Sequence, residues 1–310
     1  VIYATMKYQG KEDLFCVDPA GERAFLMSNF FDSCPAALDL RKGRGPSADI
    51  LTFISAYREE WTEEIAEFFS ARPELAISFS QLTVLAPIPR PARNLVCLGK
   101  NYKAHAEELK GQIFTDQLPL YPIYFTKPDH TVISSGDPIL LHQTITNKLD
   151  YEVELGIIIG KKGSDIKKEN AEDYIFGYTI ANDISARDLQ QDHTQWYKGK
   201  SLLSHCPMGP WIVHRSMLPL PLSLSIECYV NGECRQKANV SELIFDIPTI
   251  ISDLSRGYEL RPGDIILTGT PAGVGMGFDP PKYLKAGDLV ECRIEKIGTL
   301  LNPVIPSGQA

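Results

Sequence analysis

The sequence has no run of lysine and arginine longer than a pair, no Cys-x-x-Cys pair, and no apolar stretch near the roughly 18 residues needed to span a bilayer. Its 31 basic residues are outnumbered by 39 acidic ones, for a net charge of −8, which argues against a nucleic-acid or membrane partner. The seven cysteines are odd in number and scattered, so they read as reduced thiols rather than a disulfide framework. The N-terminus lacks a basic region followed by an apolar one, and the expectation is a soluble, cytoplasmic protein. Val1 stands where a methionine would, which leaves room for a preceding targeting segment. The glycine-rich run 267–277 lacks the Gly-Lys-Ser/Thr of a Walker loop and a full dinucleotide fingerprint. There is no internal repeat and no low-complexity segment. What remains is a folded chain of 310 residues, 44% hydrophobic and 23% charged, with ample volume for a core; small polar substrates stay open.

What is present centres on residues 150–159, Asp-Tyr-Glu-Val-Glu-Leu-Gly-Ile-Ile-Ile. Side chains alternate on a strand, so Asp150, Glu152 and Glu154 share one face and Tyr151, Val153 and Leu155 the other. Two carboxylates leading into a buried apolar run require a countercharge, and an oxygen-only ligand set suits magnesium, manganese or calcium rather than zinc. The competing reading has both glutamates in solvent, paired with Lys148, Lys161 or Lys162. Asp183, at the end of the strand-like run 176–183, is either a third ligand or a helix cap. His105 and Glu108 are three apart on a short helix, the spacing of a glutamate that orients an imidazole base, and equally of an exposed charge pair. Lys200 is a candidate to steady an enolate or oxyanion, with a surface lysine as the default. The 267–277 run offers backbone N–H groups and a hydroxyl to a carboxylate, or is a tight turn only.

The pattern divides the chain at the proline-rich stretch 85–91, giving a small N-terminal α+β domain over 1–88 and a strand-rich domain over 89–310. In the first, residues 1–4 and 13–16 read as hairpin partners, 41–46 as a break, and the apolar residues Ile50, Phe53, Ile54, Tyr57, Trp61, Ile65, Phe68 and Phe69 as one helix capped by Asp49 or Ser47 and stopped by Pro73. In the second, strands are expected at 93–98, 122–126, 139–142, 151–159, 174–181, 224–230, 264–268 and 288–296. Asn231-Gly232 marks a tight hairpin, and Asp246 caps a helix with Pro248 in its first turn. Residues 110–121 have no clear period and read as a lid that orders over a bound acid.

These residues fall into motifs: G-x-N-Y-x-x-H-x-x-E at 99–108, F-x-K-P at 125–128, D-Y-E-V-E-L-G at 150–156 and N-D-x-S-A-R-D-x-Q at 182–190. G-K-S at 199–201, C-P-M-G-P at 206–210 and L-T-G-T-P-x-G-V-G at 267–275 follow in order. Over about residues 90–304 the chain resembles the fumarylacetoacetate hydrolase family, especially its domain 2-type proteins. The resemblance implies Glu152, Glu154 and Asp183 as ligands of Mg²⁺ or Mn²⁺, with Ca²⁺ as a third option. It also implies a His105–Glu108 dyad with Lys200, and substrate contacts from Tyr102, Arg187, Gln190 and Thr270. The fold it implies is α+β, mostly β, with rolled sheets in the catalytic domain, in a homodimer. The reactions it implies act on small 2-oxo acids through an enolate beside the cation. Acylpyruvate hydrolysis, as of fumarylpyruvate, comes first because the dyad supplies the base that water attack requires. Oxaloacetate tautomerisation or decarboxylation and dienoic diacid isomerisation are the alternatives, and a non-catalytic metal-stabilised binding domain comes last. One departure stands out: relatives carry an aspartate and an aromatic where this chain has Leu203 and His205. Residues 1–85 match no motif of use.

Overall fold

The computed structural model describes residues 1–34, 49–108 and 117–308. The break expected at 41–46 and positions 110–116 of the expected lid lie outside these.

The strand Val153–Ile159 is buried at every position and lies inside a large, mainly antiparallel sheet. On one side it pairs with Ile175–Asn182, from Val153 opposite Asn182 onward; on the other it pairs with Ile265–Leu267, with Gly156 opposite Leu267. Beyond Ile265–Leu267 come Leu95–Gly99 and Ile123–Lys127. Beyond Ile175–Asn182 come Cys206–His214, Ile2–Tyr8, Lys11–Asp18, Arg23–Leu26 and Ile77–Ser78. A second, five-stranded sheet runs Glu233–Asn239, Ser225–Val230, Leu289–Ile294, Gly298–Ile305, Ile139–Leu140. Mixed α+β with sheet predominant is the observed class.

The two-residue period of the central strand decides which core each side chain enters. Val153, Leu155, Ile157 and Ile159 join a core shared with Ile226, Cys228, Val290 and Cys292 of the second sheet. Ile158, on the opposite face, packs into a core with Phe53, Trp61 and Ile65 of the N-terminal helices. A strand covered on both faces has to be apolar nearly throughout, which is why its sequence reads as a continuous hydrophobic run. By the same period Glu152 and Glu154 fall on the Ile158 side, at the start of the strand.

The N-terminal segment is sewn into this sheet: Ile2 and Tyr3 pair with Val213 and Ile212, and residue 88 therefore lies between strands of one sheet. The single helix expected over 50–69 is two helices, Ile50–Ala56 and Trp61–Ser70. The break falls at Tyr57, whose ring turns inward to within 5.1 Å of both Phe176 and His214 and whose hydroxyl meets Thr62. Asp49, not Ser47, supplies the cap, accepting from Thr52 N–H at 2.7 Å. Of the strands outside the expected ranges the longest are Cys206–His214 and Gly298–Ile305; Pro207, Gly209, Pro210 and Pro303 break up their sequence signal. The Asn231-Gly232 turn has φ of 52° and 80°, and Asp246 caps Ile247–Leu254 through Thr249 N–H at 2.9 Å. Among the described residues no helix is long and apolar enough to cross a membrane.

Candidate metal centre and active site

Glu152, Glu154 and Asp183 each present a carboxylate oxygen within 4.8 Å of the others, and all three side chains are buried. Pairing of Val153 with Asn182 brings the two ends together, because it places the start of one strand beside the end of its neighbour. The solvent-facing alternative for the glutamates does not hold: Lys162 pairs with Glu259, at 2.9 Å, and neither glutamate is exposed. Nor is Asp183 a cap, since the helix Arg187–Asp192 starts at Ala186 without a side-chain cap.

Four buried carboxyl groups, Asp150, Glu152, Glu154 and Asp183, meet three buried cations. Arg187 Nε lies 2.8 Å from Asp150 and its Nη2 lies 2.7 Å from Glu152; Lys200 Nζ lies 2.6 Å from Glu152 and 2.8 Å from Asp183; Lys127 Nζ lies 2.6 Å from Asp183. Burial pushes the Glu152 carboxyl up, but Lys200 and Arg187 outweigh it and hold the group at about 2. Burial likewise opposes the Lys200 ammonium, and Asp183 with Glu152 raise it to about 12. Glu154 has no ion-pair partner among the described residues and accepts the Gly269 N–H at 2.7 Å. Burial, then the Asp183 and Glu152 charges, push it well above the usual carboxylate range. A buried, all-oxygen cluster with one carboxyl lacking a countercharge fits a hard divalent cation held by Glu152, Glu154 and Asp183.

Two of the three carboxyl positions, Glu152 and Glu154, border a small cavity lined also by His105, Gln190, Lys200 and Thr270, with Leu98, Gly99, Phe125 and Trp196 on its apolar side. His105, in the helix Lys103–Glu108, has Nδ1 3.4 Å from Glu108 Oε2, and Glu108 Oε1 accepts the Gly273 N–H at 2.9 Å. Of the residues expected to touch substrate, Gln190 and Thr270 line the cavity. Arg187 sits behind Glu152, its Nη1 donating to Gln190 Oε1 at 3.1 Å, and Tyr102 lines an adjoining depression with Lys103 and Glu242.

The glycine-rich run does hold carboxylates, but they belong to the protein. Gly269 N–H serves Glu154, Gly273 N–H serves Glu108, and Gly275 and Met276 N–H serve Asp150 at 2.6 and 3.0 Å. At Gly273 φ is +104° and a Cβ would strike the Arg235 carbonyl, so only glycine passes there. One loop thus holds Glu154, Glu108 and the Arg187 anchor Asp150 through its backbone N–H groups.

Four residues of the site escaped the sequence reading. Lys127 was seen in F-x-K-P without a partner. Asp150 was read only as a strand position. Lys100 lines the cavity at a φ of 57°, a conformation costly for a side chain and common at functional sites; its place between Gly99 and Asn101 was the available signal. Gln236, on the second sheet, accepts Val153 N–H at 3.0 Å and donates to Thr270 Oγ1 at 2.7 Å and the Pro271 carbonyl at 2.8 Å. Thr270 in turn donates to the Val153 carbonyl at 2.9 Å. Nothing in the local sequence marks Gln236.

Comparison with known proteins agrees with this fold. The profile of the family described as fumarylacetoacetate (FAA) hydrolase C-terminal matches residues 94–305. The chain is 50% identical over 227 residues to oxaloacetate tautomerase YisK of Bacillus subtilis, covering 73% of this chain and 74% of that protein. A solved fumarylacetoacetate hydrolase from Exiguobacterium antarcticum matches at TM-score 0.77 and 34% identity, over 98% of this chain and 99% of its own. Maleylpyruvate hydrolase from Sphingobium sp. SYK-6, solved with manganese(II) and pyruvate, matches at TM-score 0.74 and 26% identity over 99% of both chains. With residues 94–305 matched by its profile, the chain belongs to the fumarylacetoacetate hydrolase family.

Proposed function

We propose that the protein interconverts the keto and enol forms of oxaloacetate at a site for Mg²⁺ or Mn²⁺. The observation that carries this is the meeting on one small cavity of His105, which is paired with Glu108, and Glu152 and Glu154 of the acidic cluster, in a chain 50% identical over 227 residues to an oxaloacetate tautomerase. When bound, a divalent cation supplies positive charge that favours enolate formation from a 2-oxo acid.

The residues have distinct tasks. Glu108 accepts the Nδ1 proton of His105, which leaves Nε2 as the basic nitrogen. His105 takes a proton from the carbon next to the carbonyl and returns it to the oxygen, so one C–H bond is exchanged for one O–H bond and no water is consumed. The Lys200 ammonium, held protonated by its carboxylate neighbours, adds charge where the oxygen becomes negative. Lys100 lines the same cavity and offers a cation to the second carboxylate of a diacid. His105→Ala is expected to slow enol–keto exchange about a hundredfold, as for loss of a general acid–base group. Decarboxylation of oxaloacetate, which needs no base, should survive far better. Unchanged exchange in a folded His105→Ala protein would remove the dyad from the mechanism.

Acylpyruvate hydrolysis is the second reading, favoured by the likeness to a maleylpyruvate hydrolase. There the same base would activate water. Cleavage of fumarylpyruvate, assayed beside oxaloacetate exchange, separates the two. The reading is completed by a homodimer, for which light scattering of the purified protein is the direct measurement.

A further inference from the structure

Trp196 stands between the helices Arg187–Asp192 and Tyr197–Lys200 and lines the cavity on its apolar side. Its indole presses on Gly99 so closely that a Cβ there would lie 2.8 Å from Cη2 and nearer still to Cζ3. Its ring centroid is 5.6 Å from that of Phe125, inclined at 74°. On the far side it packs against Val274 and Met276 of the glycine-rich loop, beside Tyr283. The indole therefore bridges the end of Leu95–Gly99 and that loop, and it borders the same cavity as Glu152, Glu154, His105 and Lys200.

We infer that Trp196 sets the length of the 2-oxo acid the site accepts, favouring short diacids over extended acyl chains. This rests on the reading above that the charged residues take the 2-oxo acid end and Lys100 the far carboxylate, which leaves the carbon chain between them against the indole. A rigid aromatic held on both sides cannot yield to a longer tail as a flexible side chain would. Discrimination of about 10–200-fold per methylene is what a well-packed apolar wall provides.

The test is binding of unreactive acids of increasing length, ketomalonate, 2-oxoglutarate and 2-oxoadipate, to Mn²⁺-loaded protein by calorimetry. Wild type should bind the longest at least about tenfold more weakly than the shortest, and Trp196→Ala should shrink that gap to about threefold or less by tightening the longest. Trp196→Leu, which keeps an apolar side chain in place, should give an intermediate gap and serves if the alanine variant does not fold. A wild-type protein indifferent to length, or a folded variant that keeps the full gap, would overturn the proposal. If the gap behaves as expected but oxaloacetate is not turned over, the role of Trp196 stands and the tautomerase reading falls. If wild type binds none of the three acids, both fall.

Discussion

Lys127 Nζ lies 2.6 Å from Asp183 Oδ1, and both side chains are wholly buried. The same ammonium donates to the carbonyls of Ile184, at 3.1 Å, and Lys200, at 2.6 Å, so it supports both the acidic cluster and the backbone that carries Lys200. Removing Lys127 leaves Asp183 with Lys200 alone, at 2.8 Å, and leaves the Ile184 and Lys200 carbonyls without this donor. Lys127→Met is therefore expected to cost about 3–5 kcal/mol in urea denaturation without added metal. A loss below about 1 kcal/mol would show that Asp183 is solvated in a way this structure does not contain.

Glu154 makes the opposite case. Its carboxyl is buried beside two like charges and lacks an ion-pair partner among the described residues, so without metal it works against folding. Glu154→Gln should melt higher than wild type in chelator, yet gain little from Mn²⁺. Wild type should gain about 2.7 kcal/mol once free Mn²⁺ reaches a hundred times its Kd. Equal Mn²⁺ stabilisation of variant and wild type would take Glu154 out of the ligand set.

Gln236 joins the backbone between the two glutamates to the Thr270–Pro271 turn. Gln236→Leu leaves the Val153 N–H and the Pro271 carbonyl without these partners, each at about 1–3 kcal/mol, and lets Glu152 and Glu154 shift. We expect Mn²⁺ affinity to fall about tenfold or more, as when outer support of ligands is removed. Calorimetric affinity within twofold of wild type would confine Gln236 to a stability role.

His214 gives a pH dependence separate from the active site. It is buried among Tyr3, Tyr57 and Phe176, and burial, followed by positive neighbours, lowers its imidazole from 6.5 to about 3. Between those values the unfolded chain binds a proton that the folded protein does not, so stability from this group is intact above the unfolded value and drains away as pH falls towards 3. From pH 7 to pH 5 the loss attributable to it is about 2 kcal/mol. His214→Phe should flatten the stability profile by that amount, and an unchanged profile would mean that the folded protein accepts the proton.

Legibility followed the range of the signal. Glu152 and Glu154 announced themselves because a two-residue period beside an apolar run is local, and His105 with Glu108 because a helical turn is local. Lys127 and Asp183 are 56 positions apart and meet only because the sheet order brings their strands to one end, so no local pattern could join them. Gln236 reaches the site from a different sheet. The helix expected over 50–69 broke at Tyr57 because tertiary packing against Phe176 and His214 outweighed an uninterrupted apolar stripe. Cys206–His214 forms a strand despite two prolines because Val132–Ile133 and Ile2–Tyr8 each pair with only part of its length.

The most direct measurement follows the relaxation of oxaloacetate enol to keto with the Mn²⁺-loaded protein, the chelated protein, and fumarylpyruvate as parallel substrate. Rapid exchange that disappears on chelation and returns with Mn²⁺ is expected, with slow cleavage of fumarylpyruvate or none. Efficient fumarylpyruvate cleavage without acceleration of oxaloacetate exchange would contradict the tautomerase reading.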